Sequence, residues 1–140
     1  MGKIINNIER DEQTIINLLN IWETVVKKTH TFLSDHNIAE IKPEVYKILK
    51  TIDILCCYAD DNGVLQGFIG IENQKIEALF IAEHVRRQGI GKILLDNAVN
   101  QYQISLVDVN EQNKQGLGFY QHMGFQNPCS KKFLIESNGV

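Results

Sequence analysis

The 140-residue chain has little of what marks several protein classes. It carries two prolines and no low-complexity tract, so neither a proline-rich segment nor a linker is expected. Its three cysteines, Cys56, Cys57 and Cys129, are odd in number. Two are sequence neighbours whose side chains leave a strand on opposite faces, so no disulfide framework is implied and a reducing cytoplasm is the expected setting. No stretch approaches the roughly 18 apolar residues of a membrane span, and the opening thirty residues lack an apolar signal core. The expectation is a protein neither exported nor membrane-bound. A formal charge of −3 offers no general attraction to nucleic acid or an anionic membrane, so basic residues count only as local clusters. No metal site is read from the sequence. With 44% hydrophobic residues, the chain suits a single domain over residues 1–140 that buries its own core, as a monomer or a homodimer.

Periodicity then sets out the elements. Lys3 to Ile8 reads as a short strand, and Asp11 as the cap of a helix whose Ile15, Leu18, Leu19, Trp22, Val25 and Val26 share a face. Lys27 and Lys28 suit its negative end, and Thr29 to Leu33 leaves it as a loop. Ser34 or Asp35 caps a second helical region, which Pro43 is expected to break or restart. Ile54 to Ala59, Leu65 to Glu72 and Lys75 to Ile81 read as three strands joined by tight turns, an antiparallel meander. A helix through Leu94 and Ala98, a strand Ile104 to Val109, a helix capped by Asn113 and ended by Gly124, and a strand Lys132 to Ile135 complete an α/β arrangement with a mixed sheet.

Between the third meander strand and the following helix stands Val85-Arg86-Arg87-Gln88-Gly89-Ile90-Gly91-Lys92. A glycine-rich loop opening a helix offers unpaired N–H groups and a positive dipole end, a site for phosphate. Two familiar phosphate loops fail here. Ile93 follows Gly91-Lys92 where a P-loop needs Ser or Thr, and Leu94 stands where the dinucleotide fingerprint needs its third glycine.

The same residues resemble the GNAT superfamily of acyl-CoA-dependent N-acetyltransferases. Leu79-Phe80-Ile81 through Arg86-Arg87-Gln88-Gly89-Ile90-Gly91 is similar to its R/Q-x-x-G-x-G/A acyl-CoA motif. Asp108 to Asn113, followed by Gly118-Phe119-Tyr120 and Met123-Gly124-Phe125, is similar to its strand-Asn-helix-Tyr-GF block. Ile21-Trp22-Glu23 and Lys28 to Leu33 further resemble a YjaB-like bacterial branch. Arg87 departs from the commoner pattern, in which a glycine follows the first arginine.

The resemblance implies a mostly antiparallel central sheet flanked by helices, with strands splayed around the coenzyme A site. It implies acetyl-CoA as co-substrate and a small-molecule or protein amine as acceptor, with no nucleic acid partner. Leu79, Phe80 and Ile81 then pair with the pantetheine arm through their main chain. Arg87, Gln88, Gly89, Ile90, Gly91 and Lys92 close on the pyrophosphate, and Asn113 caps its helix and touches the arm. Acetyl transfer needs a base, oxyanion donors and an acid for the leaving thiolate. Tyr120 falls at the family's acid position, and main-chain N–H near Phe80 at the oxyanion. Glu77, Asp108 or water remain open as the base, and parity in a regular strand places Glu77 on the face of Leu79 and Ile81. His30 and Phe32 lie where relatives build the acceptor pocket. Gly116 and Gly118, inside the last expected helix, have no role assigned. A non-catalytic acyl-CoA sensor or scaffold is the alternative, since it needs the loop but not Tyr120.

Overall fold

The computed structural model describes residues 2–29, 33–102, 104 and 106–107. Tyr120, Asn113, Asp108, Gly116, Gly118, His30 and Phe32 therefore lie outside the described residues, as does the chain beyond 107.

Strand β1 (Lys3–Ile5) leads into α1 (Glu12–Thr29) and α2 (Asp35–Thr51), then β2 (Ile54–Ala59), β3 (Leu65–Glu72) and β4 (Lys75–Ile81). A 3-10 turn (Glu83–Val85), α3 (Ile90–Tyr102) and β5 (Leu106–Val107) follow. The sheet order is β1-β2-β3-β4-β5, with every neighbouring pair antiparallel except β4 and β5, which run parallel across the α3 crossover.

Local chemistry accounts for these boundaries. Asp11 accepts from the Thr14 N–H at 2.8 Å and so caps α1, which also keeps its carboxyl below the ordinary carboxylate range. Ser34 and Asn37 form a reciprocal capping box at the start of α2. Arg10 reaches across from the chain before α1, and its Nη1 donates to the carbonyls of Leu49 and Lys50 at the last turn of α2. In the β2–β3 loop, Asp60 Oδ1 accepts from the N–H groups of Asn62 and Val64.

Pro43 does not break α2, contrary to the expectation from sequence. The helix continues through it, and both Pro43 and Ala39, whose carbonyl loses its bond from that position, lie on the exposed side, where solvent can supply the missing donor.

The sheet separates two apolar layers. On one face α1 and α2 cover Leu55, Cys57, Phe68, Ala78 and Phe80, with Trp22 only 1% exposed among them. On the other, α3 covers Cys56, Ile69, Ile76, Leu79 and Ile81 through Ile90, Leu94, Leu95 and Ala98. At about 25 cal/mol per Å² of apolar area removed from water, both layers contribute to holding the sheet against its helices. No described helix is long and apolar enough to cross a membrane.

Candidate active site

Two features of β4 and its exit define the site. The first is a bulge. Ile71 pairs with Ile76 and Gly70 with Ala78, which leaves Glu77 as an extra residue on β4. An extra residue reverses the alternation of faces. Ile76, Leu79 and Ile81 pack under α3, whereas Ala78 and Phe80 pack under α1 and α2. Glu77 is turned the same way as Ala78, into a cavity of about 150 Å³ lined by Ile48, Thr51, Ile52 and Glu72. The regular-strand parity that put Glu77 beside Leu79 and Ile81 is corrected by the bulge. Glu77 stays 19% exposed, with Lys75 Nζ at 3.7 Å from its Oε1.

The second feature is the loop between β4 and α3. At its start β4 pairs with β5, Lys75 with Leu106 and Ile76 with Val107. Ala82 N–H is held by the Gln66 carbonyl at 2.8 Å, and the chain then makes the 3-10 turn. Arg86 is extended, at φ −60° and ψ 151°, and Arg87 is left-handed at φ 66°. That succession follows a type II turn, whose second central position favours glycine. Gly89 is left-handed too, at φ 85°. Its carbonyl accepts the Ile93 N–H at 3.0 Å, so α3 starts there and the N–H groups of Ile90, Gly91 and Lys92 have no acceptor within the helix. Among the described residues, none beyond its chain neighbours has an atom within 4 Å of where a Cβ at Gly89 would stand, which leaves the main chain open on that side. Orphan donors, dipole end and clear approach together fit a phosphate ester.

The three basic side chains of the loop are not equivalent. Arg86 Nη1 meets Glu83 Oε2 at 3.2 Å, both side chains being 17% exposed, so this arginine braces the turn. Lys92, on the exposed surface, is shared with Asp96 one helical turn later at 3.7 Å. Arg87 is exposed and has no ion-pair partner among the described residues.

Below the loop, packing fixes where α3 begins. A Cβ at Gly67 would stand 2.7 Å from Ile81 Cδ1, 3.1 Å from the Phe80 carbonyl and 3.5 Å from Ile90 Cγ2. Only glycine lets β3, the end of β4 and the first residue of α3 approach this closely. At the far end of α3, Asn6 Oδ1 accepts from Asn97 Nδ2 at 2.8 Å and from Tyr102 OH at 3.2 Å. The helix is thus held at both ends.

Leu79, Phe80 and Ile81 are buried, leaving the main chain as their means of reaching a ligand. The bulge at Glu77 and the Arg86 brace escaped the sequence reading. A strand written as alternating residues carries no mark of one extra residue, while a Glu and an Arg three apart across a turn were available as a signal. A larger hollow of about 530 Å³ between α1 and α2 is lined by Leu19, Glu23, Lys42, Tyr46 and neighbours, and none of its lining residues belongs to the loop or to β4. There Glu23 is held below the ordinary carboxylate range, first by Lys42 at 2.7 Å and then, against burial, by Lys27.

Comparison with known proteins matches residues 53–127 to the acetyltransferase (GNAT) domain family. The chain is 38% identical over 109 residues to the peptidyl-lysine N-acetyltransferase YjaB of Salmonella typhimurium, covering 78% of this chain and 74% of that protein. It is 33% identical over the same shares to the Escherichia coli protein of that name. The solution structure of apo YjaB from Escherichia coli superposes with a TM-score of 0.79 at 30% identity, over 90% of this chain and 83% of that one. An N-acetyltransferase from Thermoplasma acidophilum, solved with coenzyme A, shares the fold with a TM-score of 0.71 at 21% identity, over 90% of each chain.

Proposed function

The chain belongs to the GNAT acetyltransferase family and is an N-acetyltransferase that draws its acetyl group from acetyl-CoA, and from that premise we propose that its acceptor is a lysine side-chain amine of a protein. The observation that carries the proposal is the bulge at Glu77. It sets the phosphate loop and the carboxylate on opposite faces of one strand, so donor and acceptor can approach the same stretch of β4 from two sides. The relatives named as peptidyl-lysine acetyltransferases support the choice of amine.

In this reading the pyrophosphate rests on the N–H groups from Arg87 to Lys92, and the pantetheine arm runs along the main chain of Leu79, Phe80 and Ile81. The lysine ammonium gives its proton to Glu77, directly or through water. The free amine attacks the thioester carbon, and a main-chain N–H near Phe80 holds the oxyanion. The carbon–sulfur bond then breaks as the nitrogen gives its second proton to water, the departing sulfur takes a proton from Tyr120, and Tyr120 regains one from water. A phenol near pKa 10 is still protonated when it meets a thiolate whose own pKa is near 8.5. Tyr120, Asn113, His30 and Phe32 enter this account through the family resemblance.

The test is thiol release from acetyl-CoA with lysine-containing peptides, N-terminal amines and small polyamines as acceptors. Turnover above hydrolysis with peptidyl lysine, lost when that lysine is replaced by arginine, is the expected result. Turnover with small amines alone overturns the acceptor assignment. Tyr120→Phe is expected to bind acetyl-CoA nearly as wild type and to lower the single-turnover rate by about 10² to 10⁴.

A further inference from the structure

We propose that Arg87 reads the 3′-phosphate of coenzyme A and so selects the phosphorylated cofactor over its dephospho form. The inference rests on the acetyl-CoA reading of the loop. Its starting point is the division of labour among three basic residues: Arg86 is engaged with Glu83 and Lys92 with Asp96, while Arg87 has no ion-pair partner among the described residues. A second observation is the cost of having an arginine there. The backbone of Arg87 is left-handed, at φ 66°, in the turn position where glycine carries no penalty. Among the described residues, neither an ion pair nor ease of folding accounts for the side chain at this position.

The chemistry of coenzyme A indicates which anion it meets. Its pyrophosphate is a diester, suited to the close-set N–H groups at the start of α3, which need no side chain. The 3′-phosphate is a monoester with nearly two charges at neutral pH and free oxygens, and it projects from the ribose away from the pyrophosphate. A guanidinium fork matches that group, two N–H donors to two oxygens. Arg87 is exposed, so its charge stands in solvent beside the loop and not beneath it. Such an interaction is salt-sensitive.

The experiment measures dissociation constants of coenzyme A and 3′-dephospho-coenzyme A, by calorimetry, for wild type, Arg87→Gly and Arg87→Lys. For wild type the phosphorylated form should bind about tenfold or more tightly, the range of a charge-assisted hydrogen bond, with the ratio shrinking as salt rises. In Arg87→Gly the ratio should collapse toward one, because affinity for coenzyme A falls while that for the dephospho form holds. Arg87→Lys, which keeps the charge but not the fork, should fall between. Arg87→Gly should not lower the melting temperature of the free protein, since glycine is at ease on left-handed backbone. An equal loss for both ligands in Arg87→Gly places the side chain on the pyrophosphate and overturns the proposal. A ratio unchanged by the substitution overturns it as well. A wild type that binds neither ligand removes the acetyl-CoA reading itself, a result distinct from either.

Discussion

The two faces of the sheet are built from different side chains. Under α1 and α2 the layer is anchored by large rings, Trp22, Phe68 and Phe80, with the two phenylalanine rings 5.6 Å apart. Under α3 the buried members are aliphatic apart from Cys56, and a residue with no side chain, Gly67, leaves the room for β3, β4 and α3 to meet. Rings bury area and need little exactness along a helix axis, whereas a glycine contact fixes distance. The first face therefore carries more of the stability, and the second sets where the loop meets α3. Each face answers differently to substitution.

The largest expected effect is on the ring-rich face. Trp22→Ala should cost about 3 to 5 kcal/mol in chemical denaturation, since it empties the centre of that layer. Its indole N–H has no hydrogen-bond partner among the described residues, so Trp22→Phe sheds an unpaired buried donor and should cost clearly less. Whatever fraction of either variant remains folded should bind acetyl-CoA as wild type does. A folded Trp22 variant with weakened cofactor binding would show that the faces are not separable in this way.

Next in size comes Glu77, which belongs to the ring-rich face by virtue of the bulge. Glu77→Gln keeps its shape and removes a base. The rate of acetyl transfer to the best acceptor should fall about 10²-fold, or about 2.7 kcal/mol, with acetyl-CoA affinity preserved. A loss under about threefold assigns the proton to water or another group.

On the glycine face, Gly67→Val should cost about 1 to 3 kcal/mol by overpacking. Its added atoms press on Ile81, the Phe80 main chain and Ile90, which are the end of β4 and the start of α3. Cofactor affinity should fall more than stability alone accounts for. A variant that loses stability but keeps its acetyl-CoA dissociation constant breaks the link between this contact and the loop.

The same comparison shows what the sequence discloses. The meander strands, the α1 cap at Asp11 and the α1 face from Ile15 to Val26 are legible, because periodicity and capping are local rules that burial here obeys. The break between β4 and α3 is legible for a related reason: glycines mark where a strand gives way to the helix start. The continuity of α2 through Pro43 is not, because whether a proline stops a helix depends on which side meets water. The orientation of Glu77 is not either. A bulge is a fact of pairing between two strands, and neither strand records it alone. Arg87 stood out as a departure from the family pattern, but only the backbone reveals that it takes a glycine's conformation.

The smallest effect, and the one that compares the faces within a single titration, lies at high pH. Cys57, in the ring-rich layer, has its thiol pushed up to about 12, first by burial and then by the neighbouring Cys56, with Arg10 opposing. A thiol in the unfolded chain ionises near 8.5, so above that pH the folded state holds a proton that the unfolded state has lost. The stability this contributes is complete below about pH 8.5 and declines as pH rises toward 12, by at most about 1.4 kcal/mol per pH unit. Tyr102, on the α3 side, is likewise raised to about 12, by burial and then by its hydrogen bond with Cys56. A free phenol ionises near 10, so its window opens later, and as a half-buried group it adds a shallower slope. Urea unfolding at pH 7.5, 9.5 and 10.5 separates the two. Cys57→Ala should start less stable and then lose less between the first two points than wild type. Tyr102→Phe should match wild type's slope there and differ only at the last point. If Cys57→Ala declines as steeply as wild type from pH 7.5 to 9.5, the early alkaline loss does not originate in the layer under α1 and α2.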